Sequence, residues 1–121
     1  MQTAYIKAGT DFITTNTFGT NPAKWNSSKY SWQQVANAAI AISKKATCNT
    51  GVAVMFDVAP TGKLMEPIGD YTFQEAYNNY RQIAEETSSK VDGYILETFS
   101  DLYELKAAIL AFKENTSLPV F

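Results

Sequence analysis

The chain contains no histidine and a single cysteine, Cys48. A Ser-His-Asp or Cys-His nucleophilic site cannot be built from it, nor can a Cys/His metal centre or an internal disulfide. No apolar run approaches the roughly 18 residues of a membrane span. Residues Met1 to Lys7 lack the charged-then-apolar order of a secretion signal. Neither sign of charge dominates: ten Lys+Arg stand against twelve Asp+Glu, a net charge of −2. That balance gives no basic footprint for nucleic acid and no polybasic membrane patch. The expectation is a cytoplasmic protein with neither nucleic acid nor membrane as partner.

Short apolar runs alternate with longer amphipathic stretches. Asp11 to Thr15, Val52 to Asp57 and Val91 to Glu97 read as strands, and Pro119-Val120-Phe121 as the start of a fourth. Runs apolar at most positions suit a parallel sheet. Between them, helical spacing places Val35, Ala38, Ala39, Ile42 and Ala46 on one face. It does the same for Phe73, Ala76, Tyr77, Tyr80, Ile83 and Ala84, and for Leu102, Leu105, Ile109 and Phe112. Ser31 with Gln34 and Thr72 with Glu75 fit capping boxes. Ser100 is a candidate N-cap, with Asp101 and Glu104 where the helix dipole favours negative charge. Met1 to Ala8 resembles the end of a further helix, closed by Gly9.

The order (α)-β-α-β-α-β-α-(β) predicts right-handed βαβ units and an α/β fold in one domain, residues 1–121. A (β/α)₈ barrel takes about 250 residues. With a helix first and a strand just begun at the end, the expectation is a partial barrel; a complete doubly wound domain with a non-catalytic binding role is the rival. In either fold, sites sit in the loops after the carboxyl ends of strands. Those loops are Thr15 to Asn21, Asp57 to Asp70 and Glu97 to Asp101, all rich in small polar residues, Gly and Pro.

Three blocks in this order resemble the homocysteine S-methyltransferase family, above all its cobalamin-dependent members. They are Thr14-Thr15-Asn16-Thr17-Phe18-Gly19, Pro60-Thr61-Gly62-Lys63-Leu64-Met65-Glu66-Pro67-Ile68-Gly69-Asp70, and Leu96-Glu97-Thr98-Phe99-Ser100-Asp101. The resemblance runs along essentially the whole chain. It implies strands two to five of a parallel (β/α)₈ TIM barrel that binds homocysteine and zinc. Three cysteine thiolates hold the zinc, which lowers the substrate thiol pKa so that a thiolate exists at neutral pH. That thiolate attacks a methyl donor, methylcobalamin, or betaine or S-methylmethionine in related enzymes. The resemblance places the zinc ligands beyond Phe121, so no residue of this chain is expected to bind zinc or cobalamin, and the chain alone is expected to be inactive. The implied partners are homocysteine and the cobalamin-binding and methyltetrahydrofolate-binding domains of the same enzyme.

Residue by residue, the resemblance assigns Glu97 to the homocysteine amino group, a role that suits a carboxylate; the alternative is a hydrogen bond to a neighbouring loop. Asn16, Thr17, Phe18 and Gly19 match the substrate-side loop, or serve only as barrel rim. Asp57 ends a strand at the same rim, where it either meets substrate or orients a loop amide. Asp101 matches a family position, and helix capping is the simpler role. Cys48 is expected to be a small semi-buried residue, and Trp25, Tyr30 and Trp32 to be cover for the barrel.

Overall fold

The computed structural model describes residues 1–121. Its elements are α1 (Gln2–Lys7), β1 (Phe12–Thr14), α2 (Trp32–Thr47), β2 (Ala53–Val58), α3 (Phe73–Thr87), β3 (Gly93–Leu96) and α4 (Leu102–Asn115), with a short 3₁₀ turn at Pro22–Lys24. The three strands form one parallel sheet in the order β1-β2-β3. Beyond β3, Val120 makes a parallel bridge to Tyr94, where a fourth strand was expected. No helix is long and apolar enough to cross a membrane.

The local signals act as their chemistry requires. Both capping boxes are reciprocal: each hydroxyl accepts from the third helical amide while that residue's side chain accepts from the cap amide. Gly9, at φ +91°, closes α1 in a conformation that a side chain disfavours. The cap of α4 is Asp101 and not Ser100, with the Asp101 carboxylate accepting from the amides of Tyr103 and Glu104.

Register defines the two faces of the sheet. Ile13 pairs with Val54, Phe56 with Tyr94, and Val58 with Leu96, so these side chains share one face. Phe56, Val58, Tyr94 and Leu96 join a single apolar cluster with residues of α2, α3 and α4. Tyr94 and Phe112 set their rings 4.3 Å apart at its centre. Burial of each such ring contributes about 1.5–3 kcal/mol. Phe12, Thr14, Met55, Asp57, Gly93 and Ile95 lie on the opposite face, and none of them joins the cluster. Helices α2, α3 and α4 pack on the one face that carries Phe56 and Tyr94, an arrangement consistent with part of a barrel-like α/β wall, where a doubly wound sheet is covered on both.

Two helices bury a face other than the expected one. In α2 the buried residues are Trp32, Ala36, Ile40, Ser43 and Thr47. Four of them sit one residue beyond the expected Val35, Ala39, Ile42 and Ala46, a rotation of about 100° around the axis. The helix carries two apolar stripes, and the one led by Trp32 meets the core. In α4 the buried residues are Glu104, Ala107, Ala108, Ala111 and Phe112, while Leu102 and Ile109 are exposed. Three alanines let α4 approach α3 closely. The α3 face is as expected at Ala76, Tyr80, Ile83 and Ala84, with Phe73 and Tyr77 half-buried at its margin. Cys48 is exposed, because the chain turns away at the end of α2.

Candidate functional site at the carboxyl ends of the strands

Asp57 stands next to last in β2 and pairs with Ile95. Glu97 lies two residues past Ile95, and its amide donates to the Val58 carbonyl at 3.0 Å. Side chains alternate along strands, so Asp57 and Glu97 emerge on the same, helix-free face, one above the other. Directly after Glu97 the chain turns sharply through Thr98, at φ +62°. A non-glycine residue there costs about 1–2 kcal/mol.

Two threonines after β1 hold the Asp57 backbone. The Thr17 hydroxyl donates to the Asp57 carbonyl at 2.8 Å, and the Asp57 amide donates to Thr15 Oγ1 at 3.1 Å. The two hydroxyls lie 2.6 Å apart. Thr17 has spent its proton on Asp57, so Thr15 donates to Thr17 and the chain of bonds closes. Both threonines are buried.

The Asp57 side chain is treated differently. The residue is 7% exposed, and its Oδ1 is buried with no hydrogen-bond partner. Burial, then the neighbouring Glu97 carboxyl group, push its carboxyl up to about 7, against an opposing pull from Lys24. The Lys24 ammonium donates to the Pro60 carbonyl at 2.9 Å and lies 5.2 Å from the centre of the Phe18 ring. Its own pKa is lowered by burial, despite the nearby carboxylates of Glu104 and Asp57.

The loop after β2 is gripped from three elements. Asn21 Nδ2 donates to the Ala59 carbonyl at 3.2 Å. Glu104 Oε1 accepts from the Thr61 amide at 2.7 Å, the Thr61 hydroxyl at 2.6 Å and the Tyr80 hydroxyl at 2.7 Å. Glu104, placed by the sequence where the helix dipole favours negative charge, is turned inward and buried.

A groove of about 900 Å³ leads up the edge of β1 to the two carboxyl groups. Asn16, Phe18, Asp57 and Glu97 all line it. Thr17 points away into the protein, and Gly19 does not reach the groove. The apolar floor comes from Val35, Ala38, Ala39 and Ile42, the α2 stripe expected in the core. Trp25 packs against the core margin and its indole donates to the Tyr30 carbonyl, while Trp32 is buried within the core. Thr15, Lys24 and Glu104 shape the site without having been singled out from sequence as site residues. The Thr-x-Thr spacing right after a strand is the one signal that could have flagged Thr15.

The arrangement presents an anionic pair to an incoming cation, with an apolar floor below. It does not present a metal centre: no group of three or more Cys, Asp or Glu side chains is gathered anywhere in the chain. The residues present therefore do not fit a zinc ion held by three thiolates.

No curated protein matches the chain. The family model described as homocysteine S-methyltransferase matches residues 1–121, the whole length described above. On that match the chain belongs to the homocysteine S-methyltransferase family.

Proposed function

We propose that this chain supplies the amino-acid-binding wall of a homocysteine methyltransferase domain, with Glu97 and Asp57 receiving the substrate ammonium. The observation that carries this reading is the pair of carboxyl groups on the helix-free face at the carboxyl end of the sheet, one of them with a buried, unpartnered oxygen. An ammonium supplies the charge and the hydrogen atoms that this oxygen lacks. Asn16 and Phe18 border the bound amino acid, and Thr17 and Gly19 shape their loop. In this reading β1, β2 and β3 are the second to fourth strands of a (β/α)₈ barrel, and Val120 opens the fifth.

The same reading assigns methyl transfer to a domain of methionine synthase type. Zinc-bound thiolate chemistry would rest on cysteines outside these 121 residues. Methylcobalamin is the proposed donor, presented by cobalamin-binding and methyltetrahydrofolate-binding domains in the cytoplasm. Residues 1–121 by themselves are proposed to be inactive.

The test compares two ligands on the full-length gene product by calorimetry: homocysteine and its analogue lacking the amino group. Homocysteine is expected to bind about ten- to a hundredfold more tightly, the worth of a charge-assisted hydrogen bond. Equal affinity for the two would remove the carboxyl pair from the substrate site.

A further inference from the structure

Two ionised carboxylates in contact have no hydrogen between them. Asp57 and Glu97 line one groove from the same face, Asp57 with a buried oxygen that has no partner, and a hydrogen bond between the two carboxyl groups forms only when one of them carries a proton. We propose that Asp57 and Glu97 act as a single ammonium-binding unit that holds one shared proton when empty and releases it when the ammonium enters. The inference rests on the functional reading above and adds to it a stoichiometry and a pH dependence.

The geometry favours Asp57 as the residue that carries the proton. Asp57 is buried, while Glu97 is exposed at the rim. Thr15 and Thr17 fix the Asp57 backbone, and so the point on the strand from which its buried carboxyl projects. Its ordinary value of 3.8 is pushed to about 7, which leaves a proton on the empty pair across the mildly acidic range. The entering ammonium brings a positive charge and several donors. It replaces the proton both as charge and as hydrogen-bond donor, and the proton leaves to solvent. Charge balances: one proton out for one ammonium in.

The surroundings contain few other groups able to take up that proton. Lys24, from the turn after β1, is the cation acting on Asp57. Glu104 of α4 acts on Lys24, with one carboxylate oxygen occupied by Thr61 and Tyr80. α2 offers the groove only aliphatic side chains, and Met1, Gln2 and Tyr5 line it at α1.

The probe is methionine, because its thioether does not titrate and its ammonium stays protonated between about pH 6 and pH 8. Its binding to the full-length gene product is measured by calorimetry across that range, in two buffers of different ionisation enthalpy. Wild type is expected to bind about tenfold more weakly near pH 6 than near pH 8, and to release close to one proton near pH 6. Asp57→Asn is expected to give a flat profile with no proton released. A flat profile or an absent proton in wild type overturns the proposal and leaves the functional reading standing, as does an unchanged slope in Asp57→Asn. Failure of both homocysteine and methionine to bind at any pH overturns the functional reading itself. If Asp57→Asn does not fold, the wild-type proton count decides alone.

Discussion

The Lys44 ammonium meets Asp92 Oδ2 at 2.7 Å, and the same oxygen accepts the Val54 amide at 2.7 Å. One carboxylate thereby ties the last turn of α2 to the start of β2. Burial works to raise the Asp92 pKa, but the hydrogen bonds from Lys44 and Val54 outweigh it and hold the carboxyl below its usual range. A depressed carboxyl contributes stability that is full above the unfolded value and lost as pH falls through the folded one. Asp92→Asn is expected to cost about 1 kcal/mol at neutral pH. The difference from wild type should shrink below about pH 4. Urea unfolding at several pH values measures both.

Glu97→Gln keeps the shape of the side chain and removes its charge. Homocysteine affinity is expected to fall about ten- to a hundredfold in the full-length gene product. Metal content, read by atomic absorption, should not change, since Glu97 is not among the proposed thiolate ligands. Retained affinity would return Glu97 to a loop-anchoring role.

Asp57 has the opposite stability signature from Asp92. Its folded pKa is raised to about 7 by burial first and Glu97 second. Ionising it therefore works against folding, and stability from this group declines as pH rises from about 4 toward 7. Asp57→Asn should melt above wild type near pH 8, with the gap closing near pH 4. Thermal melts at the two pH values check the sign. A variant that gains stability while losing ligand response is the usual mark of a binding residue.

Phe12 and Ile42 are exposed beside the outer edge of β1. Two of that edge's carbonyls are already taken, by the Thr10 hydroxyl at Phe12 and by Gln2 Nε2 at Thr14. The apolar surface beside them is not covered. Residues 1–121 expressed alone should self-associate through this groove, since exposed apolar patches and open strand edges drive association. Ile42→Lys should shift the sedimentation profile toward a smaller species.

Burial, then the neighbouring Glu104 carboxylate, hold the Tyr80 hydroxyl above its ordinary range, so it stays a donor at neutral pH. Tyr80→Phe removes one of the donors to Glu104 and should cost about 1–2 kcal/mol in urea unfolding. An unchanged midpoint would mean that the Thr61 hydroxyl and amide satisfy Glu104 without it.

What the sequence reveals depends on how local the controlling physics is. Capping boxes and the Gly9 stop are set by neighbours within a few residues, and Ser31, Thr72 and Gly9 announce them. The buried faces of α2 and α4 are set by what packs opposite. Two apolar stripes on α2 look alike until Trp32 finds the core, and the alanines of α4 look weaker than its leucines until α3 comes close. The inward turn of Glu104 is hidden for the same reason, because Thr61 and Tyr80 lie 43 and 24 positions away along the chain. At the site, Asp57 and Glu97 were legible as strand-end carboxylates. Their meeting on one face follows only from the register of β2 with β3.

Thr61, Tyr80 and Glu104 belong to a loop and two helices, yet all three depend on the same carboxylate oxygen. Losing the carboxylate leaves the Thr61 amide and hydroxyl without their acceptor and Tyr80 with only the Ala59 carbonyl at 3.5 Å; losing a hydroxyl leaves the carboxylate short of one donor. Each single step is penalised, and because the Thr61 amide stays whatever the side chain, a relative that drops the acid together with both hydroxyls must bring another acceptor to that amide. Evolutionary drift at these positions is therefore correlated. Among relatives of this chain, positions 61, 80 and 104 should covary, with the acid and both hydroxyls present together or replaced together.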